Sequence, residues 1–302
     1  MKKNTVIYIS IVTSATVIGT GSGILIKRLT GQENIVYVGD ATSIYADSQE
    51  ILKKYENYKG NSLIDDFQTW ELINVALEKY RRCDYSYSIS KGKAMTIVEQ
   101  EIRNLQIKNG NDYFEESLSK SSMVAVAKRM YQKGLDGNVS IYDGTIPSSN
   151  VEKGRFTEAY SNLSSDEYKN YLGRTLDEMF IYAISEKTVI DQKTIPLSDG
   201  YQLFVSLSPN KSTINYQTQM KNISNLDQRP VFESVYLTYE VDKDLMLKSL
   251  HIDESYTAKM TITLSITNNI DTYYYPNKIM DIPSYNQNTN YSIGGEENEK
   301  EK

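Results

Sequence analysis

The stretch Val231–Val241, VFESVYLTYEV, alternates apolar and polar residues over its second half. One face of the resulting strand is apolar and holds Val235, Leu237, Tyr239 and Val241. The opposite face holds Tyr236, Thr238 and Glu240. A two-residue period is typical of a half-buried strand. This stretch therefore predicts a β-strand with an inward apolar face, and it is the starting point for predicting the fold class.

The residues that follow extend this strand into a β-meander. Asp242–Asp244 predicts a turn, and Leu245 and Leu247 begin a returning strand that continues to about Ile252. In the next strand the inward positions are Met260, Ile262, Leu264 and Ile266. Between them stand Thr261, Thr263, Ser265 and Thr267. Such alternation predicts a twisted antiparallel sheet, apolar inside and hydroxyl-rich outside.

Upstream, the segment before the meander contains one more clear strand. Tyr201–Leu207 alternates in the same way, with Leu203 and Val205 pointing inward. Ser208-Pro209 ends the strand. A short amphipathic helix through Ile214, Tyr216 and Met220 is predicted to follow.

Three further helices are predicted. The first begins at a cap at Asp47 or Ser48 and stops near Gly60. The second runs from Ser62 to Arg82, and its apolar residues recur at three- and four-residue steps, which predicts one buried face. The third runs from Ser164 to Glu186.

Between these helices the pattern is less decisive. Tyr85, Tyr87 and Ile89 alternate with serine, which predicts a strand after Asp84. The segment from Ala94 to Tyr131 fits both helix and strand, because polar and apolar residues are mixed within it. Lys108–Asp112, KNGND, is a strong turn signal inside this segment.

The N-terminal residues suggest a membrane segment. Thr5 to Ile26 carries no charge, and basic pairs flank it. At about 1.5 Å per residue such a helix spans a bilayer core. We expect an uncleaved signal anchor rather than a cleaved signal peptide. This predicts a single-pass protein of the cell membrane, with its C-terminal domain extracytoplasmic.

The domain organisation follows from these elements. We expect a membrane anchor or signal segment over residues 1–30, and a linker with a short helix over 31–61. Residues 62–280 are predicted to form a single α+β extracytoplasmic domain. Residues 281–302 are predicted to be a disordered, acidic and Asn-rich tail.

Composition excludes several classes of function. The chain has 302 residues, a formal net charge of −6, one cysteine and one histidine. Because the net charge is negative and no run of Lys and Arg is longer than two residues, the basic footprint of a nucleic-acid-binding protein is absent from the sequence. A lone cysteine and a lone histidine cannot build a Cys/His metal cluster, and no phosphate loop is present. We therefore predict no cofactor and no metal.

Candidate catalytic residues are few. Cys83 follows two arginines and could pair with His251, but no flanking motif supports a nucleophile. Adjacent carboxylates such as Asp253-Glu254 are most simply solvated surface. The prediction is that the chain is not an enzyme.

The order of elements resembles that of bacterial LolA/LppX-type extracytoplasmic carriers, which are lipoprotein-like. The corresponding stretches are the helix at Ser62 to Arg82, the strands after Asp84, the helix at Ser164 to Glu186, and the strands from Tyr201 to Tyr275. The resemblance implies a curved antiparallel β-sheet with helices packed on one face. Together with the N-terminal transmembrane helix expected from Thr5 to Ile26, this gives the predicted fold class, α+β. The resemblance also implies a lipid carrier. Unlike these carriers, the chain has no cysteine after its membrane segment for lipid attachment.

This resemblance implies a lipid-like or other apolar ligand held between sheet and helices. The inward residues would line its site: Leu203, Val205, Val235, Leu237, Tyr239, Ile262, Leu264 and Ile266. The same residues could instead fill a closed core. The alternative function is a structural or interaction domain of a bacterial cell-envelope complex, which would bind a protein partner through the Tyr- and Thr-rich face of the sheet.

Overall fold

The computed structural model describes residues 44–96, 99–121, 124–133, 137–146, 155–172, 182–224, 226, 228–259 and 263–282, and its framework is one antiparallel sheet. The first six strands are β1 (Tyr85–Met95), β2 (Glu99–Asn109), β3 (Asp112–Ser121), β4 (Val124–Lys133), β5 (Val139–Ile146) and β6 (Arg155–Leu163). The other five are β7 (Val189–Leu197), β8 (Gly200–Leu207), β9 (Val231–Asp242), β10 (Leu247–Lys259) and β11 (Thr263–Pro276).

The sheet consists of two meanders joined side by side. Its strand order is β6-β5-β4-β3-β2-β1-β11-β10-β9-β8-β7, so consecutive strands pair with each other except β6 and β7. The two meanders are joined by the pairing of β1 with β11, from Ser86 opposite Pro276 to Met95 opposite Thr267. The chain passes from one sheet edge, β6, to the other edge, β7.

Short helices accompany the sheet. They are α1 (Ser48–Glu56), α2 (Leu63–Asp66), α3 (Thr69–Arg81), α4 (Ser165–Leu172), α5 (Pro209–Ser212) and α6 (Ile214–Ser224). Helix α3 contacts β7, β8 and β10, α1 packs on α3, and α4 contacts α6. The predicted cap at Asp47 is confirmed, because its side chain accepts a hydrogen bond from the Glu50 amide at 3.0 Å.

The core lies where these helices meet the C-terminal meander. Buried apolar side chains of β8, β9, β10 and β11 form one cluster with Leu72, Ile73 and Ala76 of α3. Tyr80 of α3 packs edge-on against Tyr274 of β11, with ring centroids 5.1 Å apart. Burying each such side chain contributes about 1.5–3 kcal/mol of hydrophobic free energy.

The predicted fold class, α+β with an N-terminal transmembrane helix, is wrong. The described residues form mainly an antiparallel sheet, and their helices are few and short. Thr5 to Ile26, where the membrane helix was expected, lies outside the described residues. No helix within the described ranges is both long and apolar enough to cross a membrane, so the structure gives the predicted helix no support.

Two of the predicted helices also differ from those observed. Ser62–Arg82 is not one helix, because the chain is extended at Phe67 and Gln68 between α2 and α3. The Gln68 amide donates to the Glu71 carboxylate at 2.8 Å, which caps a new helix there. Of the predicted helix from Ser164 to Glu186, the structure describes α4, and Tyr182–Thr188 is not helical.

In the parts that the structure describes, the ambiguous segment from Ala94 to Tyr131 forms β-strands joined by turns and contains no helix. Its apolar residues gave no clear two-residue period because the buried face of β2 and β3 is mainly polar, and Ile102 is its apolar residue on β2. Gln100, Asn104 and Gln106 point inward from β2, and Ser117 and Ser119 point inward from β3. The turn signal between these strands is confirmed, with Gly110 at a φ of 59°.

Gly92 allows the two meanders to approach closely. A methyl group there would lie 2.4 Å from the carbonyl oxygen of Asn269 and 2.7 Å from Cα of Ile270. Both of these atoms belong to the backbone of β11, so neither can move without shifting the strand. A side chain at position 92 would therefore force β1 and β11 apart.

We expect Gly92→Ala to lower the free energy of unfolding by about 1–3 kcal/mol, the usual cost of overpacking. Urea denaturation measures this change. The exposed neighbouring residue offers a matched control, and Lys91→Ala should change the same quantity by less than about 0.5 kcal/mol. Equal effects of the two substitutions would contradict the close approach.

Candidate functional site

Part of the buried sheet face is lined by polar side chains. These residues are Ser86, Ser88 and Ser90 of β1, Gln100, Asn104 and Gln106 of β2, Glu115, Ser117 and Ser119 of β3, Glu254 of β10, and Asn268 and Thr272 of β11. We call this set the polar face. Burying a polar group costs free energy unless the group is hydrogen-bonded. The large number of buried polar groups on this face therefore needs an explanation.

Hydrogen bonds run across the strands of the polar face. Ser88 donates to Oε1 of Gln106 at 3.2 Å, and Nε2 of Gln106 donates to the Glu115 carboxylate at 3.1 Å. A second row contains the Ser117–Asn104 bond at 2.8 Å and the Ser90–Thr272 hydroxyl pair at 2.8 Å. These bonds are possible because cross-strand partners share one face.

Glu254 is the most deeply buried carboxylate of this face and lies at its border with the apolar core. It is fully buried and stands directly opposite Asn268 across β10 and β11. Its Oε2 accepts a hydrogen bond from the Tyr182 hydroxyl at 2.6 Å. Its Oε1 accepts from Nδ2 of Asn268 at 2.7 Å and from the Tyr216 hydroxyl at 3.3 Å.

Burial raises the pKa of Glu254 above its ordinary value, and hydrogen bonds from Tyr182, Asn268 and Tyr216 oppose that shift. Burial also raises the pKa of Tyr182 and Tyr216 far above the ordinary range, and the charge of Glu254 adds to both shifts. These phenols therefore keep their protons and act as donors to the carboxylate.

Several buried polar atoms near Glu254 have no hydrogen-bond partner. They are Oδ1 of Asn268 and both side-chain polar atoms of Gln219. Gln219 is one helical turn beyond Tyr216 on α6. Tyr256, two residues from Glu254 on the same strand face, hydrogen-bonds to the side chain of Asn268. On the polar face itself, the hydroxyl of Ser119 is also unpartnered.

The loop Tyr182–Thr188 brings Tyr182 to the carboxylate and is fixed by hydrogen bonds from three sides. Nδ2 of Asn74, on α3, donates to the Ile184 carbonyl at 2.9 Å. The Ala183 amide donates to the Ser212 carbonyl at 2.8 Å, and the Ser185 hydroxyl donates to the Ile44 carbonyl at 2.6 Å. The position of the Tyr182 hydroxyl is therefore set by the helices as well as by the sheet.

The residues predicted to line an apolar ligand lie in the core cluster. Leu203, Val205, Val235, Leu237, Tyr239, Leu264 and Ile266 are all buried members of it. Ile262 lies outside the described residues. Burial is common to a filled core and to a lined cavity, so their role towards a ligand stays a prediction. The structure places them beside the polar face rather than in it.

The two candidate catalytic side chains have different environments. Cys83 is buried and its thiol donates to the Lys79 carbonyl at 3.6 Å. Burial raises the pKa of this thiol, which disfavours the reactive thiolate. His251 lies on the opposite, solvent-facing side of β10, where its Nδ1 is 2.7 Å from the Asp271 carboxylate.

Sequence reasoning missed Glu254, because the pair Asp253-Glu254 suggested solvated surface. The structure corrects this, since Asp253 is exposed and Glu254 is fully buried. A usable signal was present. Adjacent residues of a strand point to opposite faces of the sheet. When a strand has one buried and one exposed face, one carboxylate of an adjacent pair must therefore point to the buried face.

Comparison with known proteins assigns the chain to no family: no protein-family model matches it, and no curated protein matches it. The resemblance to LolA/LppX-type carriers consequently stays a prediction drawn from the order of elements. The interpretation of the site rests on the geometry of its own residues.

We expect the Glu254 carboxyl to make stability depend on pH. The unfolded chain releases this proton near the ordinary pKa of 4.5, whereas the folded chain retains it to higher pH. Stability should therefore fall as pH rises from about 4.5 through the raised pKa of the folded state. Urea denaturation across this range should show the fall in the native chain and its absence in Glu254→Gln.

Glu233→Gln, which removes an exposed carboxylate from β9, is the matched control and should leave the pH dependence of the native chain unchanged. Parallel stability curves for the native chain and Glu254→Gln would contradict the buried carboxyl as the source.

The serines of β3 should differ in their effect on stability. Ser117→Ala removes a donor to Asn104 and should lower the free energy of unfolding by about 1 kcal/mol. Ser119→Ala removes a buried hydroxyl without a partner and should leave that free energy unchanged or raise it. Denaturation of both variants tests this, and an equal loss in both would show that Ser119 has a structural role.

Proposed function

We propose that the chain is a non-enzymatic binding protein that holds a small hydrogen-bonding ligand against the polar face of its sheet. The extracytoplasmic location and membrane attachment expected from the sequence belong to the same proposal. The observation that carries it is the presence of buried polar atoms without partners on that face, namely those of Ser119 and Asn268.

The energetic argument is direct. Leaving a buried donor or acceptor unsatisfied costs about 1–3 kcal/mol, and an apolar residue of similar size would avoid that cost. Proteins keep such groups where function requires them, and accept lower stability there. Ser119 and Asn268 are therefore better explained by a ligand that bonds to them than by packing.

The other half of the buried face supports the same assignment. There Leu203, Val205 and Leu237 are in one cluster with α3 side chains that are themselves fully buried. Helix side chains thus already occupy the apolar half. A wholly apolar ligand, which the carrier resemblance implies, would leave the hydroxyls and amides of the polar face unsatisfied.

Native mass spectrometry of the purified full chain tests the proposal. We expect a stoichiometric excess mass that partitions into the aqueous phase on extraction. Asn104→Leu should abolish this excess mass, because it replaces a central amide of the polar face with an apolar side chain of similar size.

Arg103→Leu, one residue away on the exposed side of β2, is the matched control and should retain the ligand. Circular dichroism would establish that both variants are folded. A molecule that extracts as lipid, or an excess mass that persists in Asn104→Leu, would contradict the proposal.

The second candidate, an interaction domain of an envelope complex, has support on the other side of the sheet. Tyr273 and Tyr236 are 49% and 44% exposed there, and the Tyr236 ring stacks with Phe204 at 6.4 Å. Exposed tyrosines are frequent in protein interfaces. A native mass without any bound ligand would make this candidate the leading one.

A further inference from the structure

The solvent side of the sheet carries a row of apolar side chains across four adjacent strands. Tyr275 of β11 stands opposite Tyr87 of β1, and their rings are stacked with centroids 4.4 Å apart. Tyr87 in turn stands opposite Ile107 of β2, which is opposite Phe114 of β3. These residues alternate along their strands with residues of the polar face, so they lie on the opposite side of the sheet. Ile107 and Phe114 are nevertheless only 0% and 2% exposed.

The cover of this row is the chain's own segment after β11. The backbone turns at Asn277, where φ is 57°, and Asn277–Ile282 returns over the solvent side of the sheet. We call this segment the strap. Its side chains of Met280 and Ile282 pack against the two buried residues of the row. A short peptide thus occupies this part of the sheet.

The strap lies on the sheet as an extended chain does. Met280 and Ile282 are partly buried, whereas Ile279 is 67% exposed and Asp281 is exposed as well. A two-residue period is that of an extended segment with one face on a surface. The surface therefore receives two apolar side chains that are two positions apart in sequence.

Asn109, on the same side of β2, bonds to the backbone of the strap. Its Nδ2 donates to the Met280 carbonyl at 2.9 Å. Its Oδ1 is buried, and in the described part of the chain it has no hydrogen-bond partner. A carbonyl oxygen only accepts hydrogen bonds, so a donor such as a backbone N–H would complete it. The strap thus uses half of what this amide offers to an extended peptide.

The strap is held more firmly at its base than along its length. At the base, the backbone of Asn277 hydrogen-bonds to the sulfur of Cys83. Beyond it, the contacts among the described residues are the bond to Asn109, the packing of two half-buried side chains, and the Lys278 ammonium 5.5 Å from the Tyr275 ring. Segments with few buried contacts open at a lower free-energy cost than core strands.

We propose that this surface is a docking site for an extended peptide of a partner protein, and that the strap is its displaceable occupant. The partner segment carries two apolar side chains two positions apart, as the strap does, and a backbone N–H that bonds to Oδ1 of Asn109. This inference concerns the solvent side of the sheet and is independent of any ligand on the polar face.

The strap then has a regulatory effect on docking. A segment linked to its own site acts at an effective concentration of about a millimolar, and this lowers the apparent affinity for a competing peptide. The strap also keeps the apolar row covered while no partner is present, since exposed apolar patches promote non-specific association. A partner that makes the additional bond to Asn109 gains an advantage over the strap.

The test uses the full chain and a fluorescent peptide with the sequence of the strap, NKIMDI. Anisotropy measures its dissociation constant. Met280→Ser combined with Ile282→Ser releases the strap, and we expect this open variant to bind the peptide about tenfold or more tightly than the native chain, because its site is vacant. The peptide NKISDS, which lacks both apolar side chains, should not bind. Ile279→Ser changes an exposed position of the strap and should bind like the native chain.

Asn109→Ala in the open variant should weaken peptide binding about threefold or more, because it removes the donor to the peptide carbonyl. Circular dichroism establishes that each variant is folded. A second measurement needs no substitution: excess unlabelled peptide should accelerate amide hydrogen exchange at Met280–Ile282 of the native chain. Exchange that does not change, or equal peptide binding by the open variant and the native chain, would overturn the inference.

Light scattering separates a partner protein from a second copy of this chain. A monomeric native chain supports the inference. A native dimer that the open variant does not form would show that the strap serves a second copy, which overturns the inference of a separate partner. The polar-face ligand is tested by Asn104→Leu on the other side of the sheet, so the two proposals fail separately.

Discussion

The pairing of β1 with β11 is the interaction on which the rest of the structure depends. Within each meander, every strand pairs only with its neighbours in sequence. The β1–β11 pairing alone turns these two units into one sheet. It tolerates no side chain at Gly92, where the backbone of β11 is nearest. It also brings Ser90 of β1 beside Thr272 of β11.

The β1–β11 pairing also separates an apolar part of the buried sheet face from a polar part. On one side of it, β8, β9 and β10 present mainly aliphatic and aromatic side chains to α3. On the other side, β1, β2 and β3 present mainly hydroxyls and amides. Glu254 stands on β10 at the boundary and is bonded to both the sheet and its cover, since Tyr182 and Tyr216 come from outside the sheet. The Glu254 carboxylate thus links the polar face to Tyr182 and Tyr216, which lie outside the sheet.

The strands that the sequence predicted well are those with an apolar inner face. In Val235–Val241 and Tyr201–Leu207 the inward residues are almost all apolar, so the two-residue period was visible. In β2 the inward residues Gln100, Asn104 and Gln106 are polar and Ile102 is apolar, so hydrophobic periodicity is interrupted on this face. The strands β2 and β3 of the polar face were therefore the ones that the sequence pattern could not predict.

Local rules also explain which parts of the site could not be predicted. A two-residue period shows that either Asp253 or Glu254 points inward, but not which one. That choice depends on the pairing of β10 with β9 and β11, where Glu254 is opposite Val235 and Asn268. The phenol donors are more remote still, because Tyr182 is 72 residues away from Glu254 in the chain. Such a grouping is a property of the tertiary structure.

The same joint between the meanders has a consequence for how the chain acquires its structure. Ser90 and Thr272, which bond across it, are separated by 182 positions. During synthesis β1 emerges early, and its outer edge stays unpaired until the last strand has left the ribosome. Pairings of this range close slowly, and an open strand edge can recruit other chains. A nascent chain of this protein would therefore gain from a chaperone, or from delayed folding, until β11 is available.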